Sequence, residues 1–460
     1  MRSALCASGC ALSLTLAASA AADTRSGGGR GPVYELERCL LLAERNYPKV
    51  HEAMARLDHK RAQLRQAKTQ PYSEFSLSGG LGPAPTIRGT NVYSPNTDAS
   101  LTSNMALAWQ LGIEGALPLW TFGKITNLWS AAEAQVSVGE HEVKKEKNQV
   151  RLAVHRAFYG VQLARDALLL IDDATRRMDK YIGRMEDKIE DGDGDDIELI
   201  KLKLHRADLE GRESEAKKQE TIALSGLRFL TGVRGAMDVP DRPLERHPHT
   251  LGPLPRYLDA ARLFRPEVNM ARAGVSARRA QVALERSRYY PDLGVGAHAR
   301  WARAPEVTDQ TNPYVYDRAN YFHYGAALVL RWKLDFLPQT ARVAQAEAQL
   351  EEMRATERFA LGGVAVEVEE AFAEATSAAK RLETARRALK LAKQWLIKVQ
   401  QGIDVGTFDD DDIADPAKEY ALKRFGYMSA VFDYNVAVAR LGLATGWDAI
   451  GAPRRRETAR

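Results

Sequence analysis

Residues 382–403 read LETARRALKLAKQWLIKVQQGI, and this stretch decides the fold. Its apolar side chains recur at alternating spacings of three and four residues, the heptad pattern of a coiled-coil seam. The seam consists of Leu382, Ala385, Leu389, Ala392, Leu396, Val399 and Ile403. The stretch lies between Pro338 and Pro416 with no proline in between. Because proline breaks helix interiors, the interval predicts one long amphipathic helix.

A second proline-free interval, from Pro118 to Pro240, carries nearly the same pattern. Its seam consists of Leu163, Ala167, Leu170, Ala174, Met178, Tyr181 and Met185. The two intervals predict outgoing helices over about 123–190 and 339–403. At a rise of 1.5 Å per residue, each helix would be roughly 100 Å long, which excludes a compact globule.

Each outgoing helix is followed by a glycine-containing reversal and a return helix. The reversals are Asp191-Gly192-Asp193-Gly194 and Val405-Gly406-Thr407, where glycine permits the positive φ of a tight turn. The return seams consist of Ile197, Ile200, Leu204 and Ala207, and of Tyr427, Val431, Tyr434, Val438 and Leu441. Two helical hairpins are therefore predicted. Gly362-Gly363 inside the second long helix predicts a bend or a π-bulge.

Between the helical blocks lie four segments in which apolar residues alternate with small or polar ones, the pattern of β-strands. They centre on residues 75–81, 105–113, 293–301 and 324–332. We expect them to pair as two hairpins, each joined by a polar loop. Four of the seven tryptophans, Trp109, Trp120, Trp301 and Trp332, lie in or beside these strands. Aromatic residues at strand ends are typical of membrane interfaces, and the alternative is a core of a small soluble sheet.

The two halves of the chain repeat one another. Ala132-Glu133-Ala134-Gln135 recurs as Ala346-Glu347-Ala348-Gln349, and Gly192 recurs at the same offset as Gly406. We expect each repeat to contain a short helix, two strands and a long helical hairpin, with the short and return helices stacked end to end beside the outgoing helix. The predicted divisions are a signal peptide (1–22), a flexible segment (23–32), a first repeat (33–239), a linker (240–255), a second repeat (256–446) and a basic tail (447–460).

The start of the chain has the features of a secretory signal: Arg2, an apolar run over residues 4–16 and a small-residue cleavage site at residues 20–22. After its removal Cys39 would be the single cysteine, which excludes an intrachain disulfide. His247 and His249 flank Pro248 in the linker and are interpreted as solvated.

Composition narrows the class of protein. Of the 460 residues 45% are hydrophobic and 27% are charged, which is typical of a folded chain. The 65 basic and 60 acidic residues give a net charge of +5, too even a balance to predict a nucleic-acid partner. Beyond the N-terminus no stretch approaches the roughly 18 uninterrupted apolar residues of a membrane-spanning helix.

Four strands are too few to close a transmembrane barrel, because the smallest single-chain barrels use about eight. Every unpaired backbone group in hydrocarbon costs several kcal/mol, so open sheet edges cannot face lipid. The strands therefore either lie in water or close with strands from other copies of the chain. A thin layer of amphipathic helices also has to bury its apolar stripes against neighbouring helical layers. Several such layers arranged around an axis would form a hollow cylinder.

With these motifs in order, the sequence resembles the TolC-like outer membrane efflux proteins. The resemblance covers nearly all of the chain after the signal and rests on residues 46–48 (NYP), 118–124 (PLWTFGK), 265–267 (RPE), 291–293 (PDL) and 405–407 (VGT). It implies a mainly α protein whose coiled-coil hairpins form an α-barrel. It also implies four strands per protomer in a trimeric, twelve-stranded transmembrane β-barrel.

The resemblance further implies a homotrimeric, passive exit duct of a tripartite efflux or type I secretion system. The duct would lie in the outer membrane lipid with its helices in the periplasm, and would contact a periplasmic adaptor and an inner-membrane transporter. The adaptor would dock on the tips, at Gly192, Val405, Gly406 and Thr407.

The acidic reversals are the predicted functional site, since rings of carboxylates favour cations. The predicted cation filter at the periplasmic aperture consists of Asp191, Asp193, Asp195, Asp409, Asp410, Asp411 and Asp412. The alternative for these residues is a solvated loop or a helix cap. In that alternative Asp195 or Asp196 caps a helix beginning at Ile197, and Asp415 caps one beginning at Pro416.

Neither a cofactor nor a metal site is predicted. Asp191, Asp193 and Asp195 match the start of an EF-hand loop, but Asp196 replaces its glycine at position six. Leu202 likewise replaces its glutamate at position twelve. The sequence contains no phosphate-binding loop or nucleophile motif, so an enzyme is not predicted. The alternative function is a soluble periplasmic coiled-coil adaptor or scaffold, which needs no aromatic-flanked strands.

Overall fold

A computed structural model of the chain describes residues 31–72, 74–88, 100–191, 195–304, 306–307, 314, 317, 319–408 and 410–446. The predicted signal peptide (1–22), residues 23–30 of the predicted flexible segment and the basic tail (447–460) lie outside the described residues. Within the described residues the chain forms helices α1 (Leu36–Asn46), α2 (Pro48–Thr69), α3 (Lys124–Glu190), α4 (Asp196–Thr231), α5 (Leu254–Phe264), α6 (Pro266–Ser287), α7 (Phe336–Asp404) and α8 (Ala414–Thr445). The strands are β1 (Glu74–Arg88), β2 (Ser100–Trp120), β3 (Asp292–Arg303) and β4 (Tyr321–Arg331).

The two long helices confirm the heptad-based prediction. Helix α3 has 67 residues and α7 has 69, and their ends lie within a few residues of the predicted ones. The predicted seams face the protein interior: Leu170 on α3 and Leu382 on α7 are 7% and 5% exposed. Helix α7 continues as an α-helix through Gly362 and Gly363, so the predicted π-bulge is wrong. A Cβ at either glycine would meet no atom within 4 Å.

The short helix predicted before each pair of strands is in fact two helices. The breaks lie at Tyr47 and at Arg265, whose backbones are extended, with ψ of 127° and 125°. Each of these residues precedes a proline, Pro48 or Pro266, whose ring disfavours the helical conformation at the residue before it. Sequence reasoning placed both prolines at a helix start but did not extend the ordered helix upstream of them.

The helices pack as one layer. Helix α3 packs against α2 and α4 on one flank and against α6 and α8 on the other, and α7 packs against α6 and α8. Within each flank the two helices are stacked end to end, as predicted. Asn46 Nδ2 donates to the carbonyl of Thr231, the last residue of α4, at 2.9 Å. Arg265 Nη1 likewise donates to the carbonyl of Ala444 near the end of α8, at 3.2 Å.

In the part of the chain that the structure describes, no helix is both long enough and apolar enough to cross a membrane.

The largest hydrophobic core lies at the middle of the helical layer, where both hairpins and the short helices meet. Val154 of α3, Val368 of α7 and Tyr434 of α8 have no exposed surface. Cys39 of α1 is also buried there as a free thiol, and its burial raises its pKa to about 12. The thiol is therefore an apolar core group.

The linker 240–255 is tied to the helices beneath it. Asn435 of α8, 1% exposed, accepts from the amide of His247 at 2.8 Å and donates to the carbonyl of Glu245 at 2.8 Å. His249 Nε2 lies 2.9 Å from the Tyr257 hydroxyl. Burial lowers the pKa of both His247 and His249. The interpretation of these histidines as solvated is wrong, because buried polar groups on α5 and α8 supply their partners.

The four strands form one antiparallel sheet in the order β1-β2-β3-β4. The two predicted hairpins are confirmed, and β2 also pairs with β3, for example Ile113 with Ala299. Strand β2 is longer than predicted, with 21 residues. Strands β1 and β4 are the edges, and each has a neighbour on one side only among the described residues. The sheet is therefore open within one chain.

A buried ion pair closes the first half of the chain. Arg165 of α3 contacts Asp238, donates to the carboxylate of Glu220 at 2.7 Å and donates to the carbonyl of Val239 at 2.9 Å. The Arg165 and Asp238 side chains are 11% and 6% exposed. The backbone of Asp238 in turn pairs with the N-terminal segment, accepting from the amide of Tyr34 at 2.9 Å.

We expect Arg165→Met to lower the thermal midpoint of the purified protein, monitored by helical circular dichroism in detergent. Removing one partner leaves the Asp238 charge buried without compensation, at a cost of roughly 3–5 kcal/mol. The matched control on the same helix is Arg176→Met, whose ion pair with Asp172 is exposed and contributes little. Equal midpoints for the two variants would contradict a structural role for the Arg165 pair.

Candidate functional site

The candidate site has two parts that lie at opposite ends of the long helices. The predicted tips lie where α3 and α7 end, and the sheet lies where both helices begin. At 1.5 Å per residue the two parts are roughly 100 Å apart along each helix.

The first tip joins α3 to α4. Gly192 and Asp193 lie outside the described residues, while Asp191, Asp195 and Asp196 are exposed. The Asp195 carboxylate accepts from the amide of Ile197 at 2.8 Å, so Asp195 is the N-cap of α4. Asp196 is the first helical residue, and the prediction that it could be the cap is wrong. Capping by Asp195 is favourable because the carboxylate satisfies an unpaired amide at the positive end of the helix dipole.

The second tip begins with a Schellman motif. The amide of Thr407 donates to the carbonyl of Gly402 at 2.7 Å, and the amide of Gly406 donates to that of Ile403 at 3.0 Å. Gly406 has a φ of +75°, the left-handed conformation that this motif needs. The Phe408 ring covers Gly402, where a Cβ would lie 2.2 Å from Phe408 Cδ2. Val405, Gly406 and Thr407 are therefore held exposed on a defined turn.

The acidic run of the second tip follows this turn. Asp409 lies outside the described residues, and Asp410, Asp411 and Asp412 form a 3₁₀ turn over Asp410–Ile413, in which Asp412 is exposed. Helix α8 begins at Ala414, and Asp415 is in its first turn without being its cap. The predicted cap at Asp415 is therefore wrong: the helix begins two residues upstream of the predicted start, and its N-cap position is occupied by Ile413, which is 6% exposed.

Two carboxylates behind the first tip are paired with basic side chains, whereas Asp191 and Asp195 at its end are not, in the described part of the chain. Glu186 pairs with Lys203 at 2.8 Å and Asp179 pairs with Arg206 at 2.7 Å. Among the described residues, no Lys or Arg lies within ion-pair distance of Asp191 or Asp195. Asp191 and Asp195 therefore place unpaired negative charge at the tip.

An exposed apolar stripe on α4 leads away from the first tip. Ile197, Ile200 and Leu204 are 64%, 66% and 62% exposed. The sequence predicted these residues as an apolar seam of the return helix without identifying the neighbour that it contacts, and within one chain the seam is exposed. The spacing of these residues correctly predicted a helix, but spacing does not show which neighbouring helix an apolar stripe contacts.

The sheet has two chemically different faces. One face is apolar, and its large side chains are between 42% and 73% exposed: Phe75, Leu77, Leu81, Leu107, Leu111, Ile113, Leu117, Trp301, Phe322, Tyr324, Leu328 and Leu330. The opposite face is polar or small: Ser76, Ser78, Gly80, Gln110, Gly112, Glu114, Gly294, Gly296, His298, Arg300, His323 and Gly325. Sequence reasoning read only the apolar positions of each strand, although alternation identifies the polar ones equally well.

The four predicted tryptophans lie toward two ends of the sheet. At the helix end, Trp120 contacts Phe122 with ring centroids 6.1 Å apart. Trp332 follows β4 there, and its Nε1 donates to the carbonyl of Tyr289 at 3.0 Å. Toward the opposite end, Trp109 and Trp301 pack edge to face with centroids 4.9 Å apart. All four rings are partly or largely exposed.

We expect Gly406→Ala to speed amide exchange over residues 400–413, because a Cβ in the left-handed region costs about 1–2 kcal/mol and loosens the motif. Hydrogen exchange with mass spectrometry measures this directly. The matched control is Gly426→Ala on α8, where a Cβ meets nothing within 4 Å and the backbone is helical. Unchanged exchange at the tip in Gly406→Ala would show that the turn does not depend on this glycine.

Comparison with known proteins agrees with this geometry. The chain is similar to the open state of the Neisseria gonorrhoeae MtrE outer membrane channel, with a TM-score of 0.72 and 13% identity over 89% of this chain and 88% of that one. It is similar to the outer membrane protein VceC from Vibrio cholerae, with a TM-score of 0.67 and 17% identity over 89% of this chain and 96% of that one. A membrane protein from Pseudomonas aeruginosa gives a TM-score of 0.68 and 16% identity over 90% and 91%.

At these identities the likeness establishes the fold. No curated protein matches the sequence significantly. The family model of the outer membrane efflux proteins, however, matches residues 40–233 and 257–446, one segment in each half of the chain. The match covers most of the chain, and the resemblance inferred from the sequence motifs is confirmed: the chain belongs to the outer membrane efflux protein family.

Proposed function

We propose that the protein is a passive exit duct: a homotrimer in the outer membrane whose helices extend into the periplasm and conduct substrate through a water-filled tunnel. The family is one of outer membrane efflux channels and not a class of enzymes. The observation that supports the proposal most strongly is the sheet, which has an exposed apolar face, a polar face and two edges that lack a partner strand among the described residues.

Closure by identical copies follows from those edges. In a bilayer the apolar face would contact lipid and the polar face would line the lumen, as in known barrels. The edges β1 and β4 need partners there, since hydrocarbon offers no hydrogen bonds. Three copies of the sheet give twelve strands, enough to close a barrel that four cannot.

The helical layer has the same requirement. Its outer flanks are α7 on one side and α2 with α4 on the other, and each exposes apolar side chains. Phe359 and Val366 on α7 are 81% and 63% exposed, and Ile222 and Phe229 on α4 are 56% and 65% exposed. Each pair is spaced by seven residues and so lies on one face of its helix. If the α7 flank of one copy packed against the α4 flank of the next, both apolar stripes would be buried.

The tryptophans support a membrane position for the sheet. Trp120 pairs in register with Leu293, eight residues before Trp301 on the same strand. At about 3.4 Å per residue, the two aromatic levels are roughly 27 Å apart along β3. Because the strands of such barrels tilt by roughly 35–45°, the two levels would be about 19–22 Å apart along the membrane normal, close to the height of an apolar band of about 25 Å flanked by aromatic girdles. If the protein were a soluble adaptor, which is the alternative function, this apolar face would be exposed to water, and an adaptor has no need of such a face.

The tips are proposed as the aperture and as the docking surface. Asp191, Asp195 and Asp412 are exposed, and threefold repetition around an axis would form carboxylate rings. We assign Asp193, Asp409, Asp410 and Asp411 to the same rings from the sequence. The exposed turn at Val405, Gly406 and Thr407, with Gly192 on the first tip, would dock a periplasmic adaptor of a tripartite system. An inner-membrane transporter would supply the energy, because no energy-coupling site is predicted in this chain.

We expect Asp191→Asn combined with Asp195→Asn to reduce cation selectivity in planar bilayers, measured as the reversal potential across a KCl gradient. Asparagine is as good an N-cap as aspartate, so the start of α4 is kept while the charge is removed. The matched control is Asp259→Asn on α5, an exposed carboxylate outside the tips. An unchanged reversal potential in the tip variant would refute an electrostatic filter at these residues.

We expect Phe359→Glu combined with Val366→Glu to convert the trimer to smaller species in detergent, measured by native mass spectrometry. A charged residue on each apolar stripe makes its burial against another copy unfavourable. The control is Arg358→Glu, one position away on α7 and therefore about 100° around the helix. A double variant that remains fully trimeric would show that this flank is not the interface.

A further inference from the structure

The polar face of the sheet carries a histidine pair that the exit-duct function does not use. His298 Nε2 on β3 lies 3.2 Å from His323 Nδ1 on β4. The two rings are stacked, with centroids 5.1 Å apart and an interplanar angle of 28°. In the β3–β4 register His298 is opposite Gly325 and His323 is opposite Arg300, so the histidines are diagonal neighbours on one face.

A glycine makes room for this arrangement. A Cβ at residue 325 would lie 3.1 Å from His298 Cε1 and 3.6 Å from its Nε2. Any larger side chain at that position would occupy the space through which the His298 ring reaches toward His323. Gly325 therefore allows the two rings to converge across the strand boundary.

The separation of the two nitrogens matches that of two ligands on one metal ion. Imidazole nitrogens bind Zn²⁺ at about 2.0–2.1 Å, and a tetrahedral angle then separates two of them by roughly 3.3–3.4 Å. Imidazole ligands suit Zn²⁺, Cu²⁺ and Ni²⁺, whereas Ca²⁺ and Mg²⁺ prefer oxygen. We propose that His298 and His323 form a two-histidine site for a divalent transition-metal ion, with water completing its coordination.

The charges around the pair set the strength of the site. Glu114 is opposite His298 on β2, but its carboxylate lies 3.7 Å from the Arg300 guanidinium and accepts from Ser76 Oγ at 3.4 Å. Arg300 and Glu114 offset one another, so the histidines face little net charge. The described residues hold no group of three or more His, Cys, Asp or Glu suited to one metal ion. Two protein ligands would bind weakly and reversibly, which suits an ion that enters a conduit and leaves it.

The histidine pair could bind a metal ion whether or not the protein is an exit duct. Only the statement that the site lies in the lumen rests on the proposed function. The two are therefore tested with different readouts. The first is equilibrium binding of NiCl₂ and of ZnCl₂ to the tag-free, full-length protein in detergent, measured by titration calorimetry in a non-chelating buffer. The second is the conductance of the same protein in planar bilayers, without NiCl₂ and with NiCl₂ at a concentration above the dissociation constant that the calorimetry gives.

We expect about one ion bound per chain, and for His298→Gln and His323→Gln a loss of affinity larger than the roughly 10–100-fold that removing an outer-shell partner costs. His205→Gln on α4, an exposed histidine outside the sheet, should bind as the unaltered protein does. NiCl₂ should reduce conductance in the unaltered protein and not in His323→Gln.

Absent binding, or binding that persists in both glutamine variants, would overturn the metal site and leave the pair as an imidazole hydrogen bond. Conducting channels without such binding would overturn the metal site alone. Binding that requires both histidines, in a protein that forms no pores, would support the metal site and contradict the exit duct.

Discussion

The structure depends on one constraint: a four-stranded sheet with an apolar face must satisfy its edge hydrogen bonds and cover that face. Strands β1 and β4 have no second neighbour among the described residues, and leucines and aromatic residues cover the outer surface. Water would satisfy the edges but not the face, and lipid would cover the face but not the edges. Association of several copies within a bilayer meets both demands at once, which is why the proposed function begins with the sheet.

In the proposed trimer the helical layer, which is roughly 100 Å long, would likewise bury its exposed apolar side chains against neighbouring copies. The core at its middle holds the two hairpins together through residues such as Val154, Val368 and Tyr434, and the linker crosses it through Asn435. Beyond this core the layer is thin, and its flanks expose Phe359 on one side and Phe229 on the other. The residues that stabilise one chain and those of the proposed contact between chains are therefore different, so each set can be altered separately. The tips add charge where the helices end, on turns fixed by Asp195 and Gly406.

Much of this architecture could be predicted from the sequence because long helices and alternating strands leave strong periodic signals. The heptads placed α3 and α7 almost to the residue, and alternation placed all four strands. What periodicity cannot supply is the identity of the neighbour. Ile197 and Ile200 were correctly predicted as an apolar stripe, but their spacing did not show that the stripe is exposed within one chain. His247 was assigned to solvent, although Asn435, 188 residues away in sequence, binds its amide. The cap of α4 was predicted as Asp195 or Asp196, and the structure confirms Asp195, because the choice between them depends on one hydrogen bond. The pairing of His298 with His323 needed the strand register, which the sequence alone did not give.

The central claim is that β1 of one copy pairs with β4 of the next, and cysteine cross-linking in the outer membrane tests it most directly. Ala327→Cys on β4 is combined in turn with Ser76→Cys or Ser78→Cys on β1, all on the polar face of the sheet. Cys39 is buried and does not compete. Mild oxidation of at least one combination should give species of two and three chains on a non-reducing denaturing gel, whereas neither single-strand variant should. Chains that remain monomeric in every combination, in a protein that is equally monomeric by mass in detergent, would show that these edges do not pair between copies.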